Sequence, residues 1–192
     1  MRSLRLLLVL LLLLGTTTVF AHVFFRANLG RNLTGNYTEK YEDHSNDYDT
    51  GSGLYVSCQF LYNKISNFAI GTGISFQGRR EIDVKDFDDK IEYCFMPVYV
   101  ITQLAASKDT STIPHINFLM GFNILTGNQN FEREGKANNG FYWGIGFDLE
   151  FNKKFFIELL YQTSNGSISD AYDEFDIDLQ NSNVGISLGL RS

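Results

Sequence analysis

The run Phe141-Tyr142-Trp143-Gly144-Ile145-Gly146-Phe147-Asp148-Leu149-Glu150-Phe151, its turn Asn152-Lys153-Lys154 and the return Phe155-Phe156-Ile157-Glu158-Leu159-Leu160-Tyr161-Gln162 decide the fold. Phe141, Trp143, Ile145, Phe147, Leu149 and Phe151 occupy every second position, against Tyr142, Gly144, Gly146, Asp148 and Glu150. After the turn, Phe155, Ile157, Leu159 and Tyr161 alternate with Phe156, Glu158, Leu160 and Gln162. Period two sends successive side chains to opposite faces of a strand. The stretch is a β-hairpin with one bulky apolar face.

Working outward, the pattern recurs. Val23, Phe25, Ala27 and Leu29 alternate with Phe24, Arg26, Asn28 and Gly30; Leu54, Val56, Cys58, Phe60 and Tyr62 alternate with Tyr55, Ser57 and Gln59. Phe68, Ile70, Ile74 and Phe76 oppose Ala69, Gly71, Gly73, Ser75 and Gln77, and Ile116, Phe118, Met120, Phe122 and Ile124 oppose His115, Asn117, Gly121 and Asn123. Between Ile91 and Leu104 both faces are apolar, with Tyr93, Phe95, Pro97, Tyr99 and Ile101 on one and Glu92, Cys94, Met96, Val98 and Thr102 on the other. The last strand sets Val184, Ile186, Leu188 and Leu190 against Asn183, Gly185, Ser187 and Gly189. Phe175, Ile177 and Leu179 alternate in the opposite parity, which predicts a bulge or break between Gln180 and Asn183.

These runs make about eight strands of roughly ten residues, the length a tilted membrane-crossing strand needs. The segments 63–67, 107–114 and 152–154 are short turns. Longer polar loops run from Leu33 to Gly51, Gly78 to Lys90, Gly127 to Gly140 and Thr163 to Glu174. An even number of sequential strands can close on itself and remove its edges. The expected fold is therefore all-β, an eight-stranded antiparallel up-and-down barrel.

Alternation does not by itself say which face is inside. Three features place the bulky face outward, against lipid. The second face is built from Gly, Ser, Asn and Gln with hardly a Lys, unlike a water-exposed surface. The bulky face is nearly free of charge, as a bilayer requires, since an Arg or Lys at its midplane costs about 2–4 kcal/mol. Aromatic residues (Phe25, Tyr62, Phe68, Phe76, Phe141 and Phe155 among them) gather near strand ends, where interfacial girdles form. Phe60, Ile74, Phe118, Trp143, Ile157 and Ile186 are then expected to face lipid, with the long loops outside the cell and the short turns in the periplasm.

At the N-terminus, Met1-Arg2-Ser3-Leu4-Arg5 is basic, Leu6 to Leu14 is continuously apolar, and Val19-Phe20-Ala21 ends on a small residue. This reads as a secretory signal peptide, 1–21, ahead of a barrel domain, 22–192; the alternative is an uncleaved anchor helix. The net charge of -6 argues against nucleic acid as a partner. Mean hydropathy is -0.12, and no long apolar run follows the N-terminal one, so no later stretch is expected to be a membrane helix.

Glu92-Tyr93-Cys94-Phe95-Met96-Pro97-Val98, Gly121, Gly144-Ile145-Gly146 and Val184-Gly185-Ile186-Ser187-Leu188-Gly189-Leu190-Arg191 resemble strand motifs of the bacterial outer-membrane β-barrel domain family. These are the small barrels related to OmpA and OmpX, with PorT-like members of Bacteroidota type as the nearer look-alikes. The resemblance spans 22–192 and implies a bacterial outer-membrane location. Members usually end in an aromatic residue, whereas this sequence ends Leu190-Arg191-Ser192.

Charged residues on the narrow inward face need partners. Arg26, Asp148, Glu150 and Glu158 are expected to form an arginine–carboxylate cluster near the periplasmic end, and Arg79 with Glu92 a pair near the outer end. Eight strands leave an interior that side chains fill, so no open pore is expected. His44 and Ser45 lie among Glu42, Asp43, Asp47 and Asp49. A hydrolase could use such groups, but neighbours on one loop do not make a triad. The same acids lack the Gly and terminal Glu of a calcium loop. No catalytic, cofactor or metal residue is therefore assigned. Cys58 and Cys94 are expected on opposite faces of non-adjacent strands, as free thiols. Asn32, Asn36 and Asn165 match the N-glycosylation pattern, which matters only in a eukaryotic secretory host.

The functional reading is a non-enzymatic outer-membrane barrel, structural or surface-binding, that contacts lipid and meets protein or surface ligands through its outer loops. The alternatives are a secreted lipocalin-like carrier, which would put the apolar face inside, and a lipid-modifying hydrolase using His44 and Ser45.

Overall fold

The computed structural model describes residues 23–41, 44–49, 53–65, 67–82, 91–106, 111–127, 135–170 and 176–192. The expected signal peptide lies outside them. Ten strands follow one another: β1 (Val23–Tyr41), β2 (His44–Asp49), β3 (Leu54–Ile65), β4 (Phe68–Gln77), β5 (Arg80–Ile82), β6 (Ile91–Ala105), β7 (Thr112–Gly127), β8 (Gly135–Phe151), β9 (Phe155–Asp170) and β10 (Asp176–Arg191). The hydrogen-bonded order is β1-β3-β4-β6-β7-β8-β9-β10, antiparallel throughout, and β10 returns to β1. Eight strands thus close the barrel. β2 pairs with β1 from Asn36 to Tyr41, continuing the path of β3 along it, and β5 continues the path of β4 along β6.

The two prolines sit where the ladder can spare a donor. β4 leaves β6 after Ile74↔Val98, and β5 resumes at Arg80↔Tyr93. Pro97 lies in that gap. Pro114 lies just beyond the β6–β7 ladder, which ends at Ala105↔His115.

The interior is polar and the exterior apolar. Arg26, Asn117, Asp148, Glu158 and Gln162 are buried, while Phe60, Ile74, Phe118, Trp143, Ile157 and Ile186 all lie on the outer surface, 37–58 % exposed. Apolar side chains wrap the outside of the ring, far beyond the few hundred Å² that a water-soluble monomer exposes. A lipocalin-like carrier needs the reverse, and that reading is overturned.

Inward glycines make room for rings. Gly30 pairs directly with Tyr55, Gly73 with Tyr99 and Gly189 with Phe156. In each case a Cβ on the glycine would collide with the partner's ring. The bulky-out, small-in rule fails on β6, where Tyr93, Phe95, Tyr99 and Ile101 all point inward and are buried.

Three expectations are corrected. First, much of the polar sequence read as loop is strand: β1 runs to Tyr41, β9 to Asp170, and β10 begins at Asp176. Polar side chains suit strands that have left the membrane, because their outward face meets water.

Second, β10 has no slip. It pairs with β9 in unbroken register from Asp176↔Ser169 to Leu190↔Phe155, and the irregularity falls on β1 between Asn32 and Thr34. Leu179 keeps the parity of Asn181 and Asn183 and is buried. What changes along the strand is polarity. Tyr93, Phe95, Leu125, Ile168 and Leu179 form an apolar plug inside the far end, as in a soluble barrel.

Third, Cys58 and Cys94 share the outward parity, because β6 turns its odd-numbered residues inward. Both are free, on strands separated by β4.

The β8–β9 turn has Asn152 and Lys153 at φ 51° and 58°, closed by Lys154 N–H donating to the Phe151 carbonyl at 3.1 Å. Two left-handed residues make the hairpin turn that favours Asn-Gly. Lys153→Gly is expected to stabilise the barrel by about 1 kcal/mol, by removing a Cβ from the left-handed region. Urea titration of the barrel in lipid vesicles checks this, and an unchanged or lowered midpoint would count against the turn geometry.

Candidate functional site

One strand reads the lumen from end to end. Starting at the short turn, β9 turns inward Phe156, Glu158, Leu160, Gln162, Ser164 and Ile168, all buried. They cross a charged layer, an apolar and tyrosine layer, an amide layer and the plug.

The charged layer lies nearest the short turns. Arg26 on β1 donates from Nη2 to Asp148 Oδ2 on β8 at 2.8 Å, with both side chains at most 1 % exposed. Its guanidinium lies 3.7 Å over the Phe156 ring. Asp148 is also held by His115 Nδ1 at 2.6 Å, Asn117 Nδ2 at 2.7 Å and Gln103 Nε2 at 3.4 Å. Asp148 and Glu158 are directly paired across β8 and β9, a repulsive placement for like charges. Asn117 reconciles them: its Nδ2 also donates to Glu158 Oε1 at 3.0 Å. Asn28 donates to Glu158 Oε2 at 2.9 Å, and Ser187 Oγ lies 3.4 Å from the same oxygen.

Glu150 takes a different cation. Arg191 at the end of β10 donates from Nη1 to Glu150 Oε2 at 2.6 Å and stacks 3.6 Å over Phe24. His115 Nε2 lies 3.9 Å from that oxygen, so the imidazole stands between two carboxylates.

Of the four residues expected to cluster, Arg26 and Asp148 are thus bonded. Glu158 is held by amides and a hydroxyl, and Glu150 by Arg191. Arg79 is exposed, and the Glu92 side chain, like those of His44 and Ser45, lies outside the described residues. Sequence reasoning gave no role to His115, Asn117, Gln103 and Arg191. Strand parity was the available signal: His115 and Asn117 occupy the inward positions of β7, and Arg191 continues the inward series Asn183, Gly185, Ser187, Gly189.

The amide layer crosses the lumen again. Gln77 Nε2 donates to Ser164 Oγ at 3.1 Å, Asn181 Nδ2 to Gln77 Oε1 at 3.2 Å, Tyr142 OH to Gln162 Oε1 at 3.0 Å and Gln162 Nε2 to Asn183 Oδ1 at 3.0 Å. Between the polar layers Leu61, Ile101, Leu119 and Leu160 pack with Tyr99 and Tyr142. The chemistry of this interior is hydrogen bonding among buried polar groups, incomplete at Arg26 Nε and Nη1, Tyr55 OH, Gln59 Oε1 and Glu150 Oε1, which have no partner. Among the described residues no group of three or more His, Cys, Asp or Glu is arranged to hold a metal ion.

Removing one partner of a buried pair strands the other's charge. Asp148→Ala is expected to lower barrel stability in lipid vesicles by about 3–5 kcal/mol. Arg26→Leu combined with Asp148→Leu should cost less than the two single changes summed. Additive losses would show that the pair is not coupled.

The barrel fold is shared with known proteins. By structure the chain is similar to Ail, the attachment invasion locus protein of Yersinia pestis, solved with the heparin analogue sucrose octasulfate (TM-score 0.52, 11 % identity, 89 % of this chain and 99 % of that one). It is also similar to Neisserial surface protein A (TM-score 0.51, 8 % identity, 88 % and 96 %). OprG from Pseudomonas aeruginosa gives a TM-score of 0.55 at 12 % identity, with coverages of 89 % and 96 %. At these identities the likeness concerns the fold. A comparison with curated proteins finds no match. Residues 7–191 match the model of the outer membrane protein beta-barrel domain, and with that match over a closed ring, polar within and apolar without, the chain belongs to this outer-membrane family.

Proposed function

We propose that this outer-membrane barrel is a non-enzymatic surface protein that binds a basic partner through its outer loops, with residues 1–21 as its export signal. Phe60, Ile74, Phe118, Trp143, Ile157 and Ile186 meet acyl chains in this reading. The lumen cluster acts as a strut. The filled interior supports a barrel without an open pore: two hydrogen-bonded layers and an apolar plug occupy the space a solute would need.

The observation that carries the binding role is the charge at the far end. Short turns face the periplasm in this class, so the ends of β1, β9 and β10 beyond the plug face outward. β9 ends and β10 begins there, and in the sequence that joins them Asp170, Asp173, Glu174, Asp176 and Asp178 fall together with no intervening base. The segments 39–49 and 81–90 are also acidic, relieved only by Lys40, Lys85 and Lys90. Tyr37, Tyr41, Tyr48 and Tyr172 add amphipathic contact groups.

Ail was solved with a sulfated sugar. An acidic rim repels such a polyanion and attracts cationic surfaces, so the partner here is of opposite charge. The barrel in lipid nanodiscs is expected to be retained on immobilised lysozyme, a basic protein, at physiological salt and not on heparin. Replacing the five acids between 170 and 178 by their amides should release it. Retention on heparin, or on lysozyme regardless of those substitutions, would contradict the proposal.

A further inference from the structure

At the short-turn end the barrel opens into a cup of about 360 Å³, within the size range of small-molecule sites. Phe24, Gln103, His115, Glu150 and Arg191 line it, together with Lys153 of the β8–β9 turn. Its lining includes Asn63 and Asn67 beside the β3–β4 turn and Lys153 of the β8–β9 turn, so the cup is reached from the short-turn side, which faces the periplasm.

The groups in the cup are unequally satisfied. Arg191 occupies Glu150 Oε2. Glu150 Oε1 is buried and has no hydrogen-bond partner, although buried carboxylate oxygens are ordinarily supplied with donors. Lys153 is exposed, and the Arg191 side chain is 21 % exposed. The cup therefore combines an acceptor that lacks a donor with two cationic groups near its mouth.

A simple cation would meet repulsion from Lys153 and Arg191, and a simple anion would leave Oε1 unmet. One molecule that carries both charges answers both. We infer that the cup binds a small zwitterion of the peptide type, its ammonium donating to Glu150 Oε1 and its carboxylate held between Lys153 and Arg191. Arg191 turns aside from Glu150 to admit the ammonium and receives the carboxylate in exchange. Neither the outer loops nor their partner enters this inference.

The test uses the complete, isotope-labelled barrel folded in neutral detergent micelles and titrated with glycylglycine by NMR. Saturable amide shifts are expected at Gln103, His115, Glu150, Lys153 and Arg191. N-acetyl-glycylglycine, which lacks the ammonium, and glycylglycinamide, which lacks the carboxylate, should each bind at least about tenfold more weakly. Glu150→Gln should lose binding to the same degree. Lys153→Gly, which suits the turn, keeps the fold testable and should also bind at least about tenfold more weakly. Absence of saturable shifts, equal binding of the three dipeptides, or full affinity in either variant overturns the inference.

Discussion

Within hydrocarbon no water can complete a backbone hydrogen bond, and each unmet N–H or C=O costs several kcal/mol. A sheet survives there only if its first and last strands find each other. In this chain they do: β10 pairs with β1 from Arg26↔Arg191 to Tyr41↔Ile177, with one irregularity between Asn32 and Thr34. Ser192 adds a final clasp, its backbone N–H donating to the Phe25 carbonyl at 3.0 Å. Once the ring is closed, every strand has one face in and one face out. The rest of the structure is a consequence of that division.

The inward face must solve a problem of space and charge together. A narrow lumen admits Tyr55, Tyr99 and Phe156 only because the residue directly across each is glycine. Phe156 in turn carries the Arg26 guanidinium, and Phe24 carries that of Arg191. Arginine suits both duties, since its planar group stacks on a ring while its edge bonds a carboxylate. Packing and electrostatics are therefore one construction. Glycines position rings, rings position guanidiniums, and the Arg26 guanidinium with Asn117 holds Asp148 beside Glu158.

Much of this was legible in the sequence, because period-two alternation is strong where one face meets lipid. The strand count and the closed antiparallel order follow from alternation, and the outward placement of Phe118 and Trp143 follows once the small polar opposite face and the lack of charge on the bulky face are added. Legibility fell where the solvent changed. Beyond the membrane the outward face turns polar and the inward face apolar, so Leu179 looked like a shift in register although the strand runs on unbroken. On β6 both faces are apolar, since Phe95 and Ile101 fill the lumen while Val98 and Val100 lie outside. That is why Cys94 was expected on the face opposite to that of Cys58, although both share the outward parity. In the charged layer, the carboxylates and Arg26 stood out against apolar neighbours. Which cation serves which carboxylate depends on stagger between strands distant in sequence, as with Arg191 and Glu150, and no local pattern carries that.

Trp143 is the sole tryptophan and lies on the outer surface of β8, beside Tyr161 at 5.4 Å between ring centroids. Its fluorescence therefore reports the orientation of the whole ring. With the barrel folded into vesicles whose lipids carry bromine on their acyl chains, strong quenching of Trp143 relative to unbrominated vesicles is the expected result. Emission that bromine on the acyl chains leaves unchanged would place the indole away from lipid and contradict the inside-out assignment.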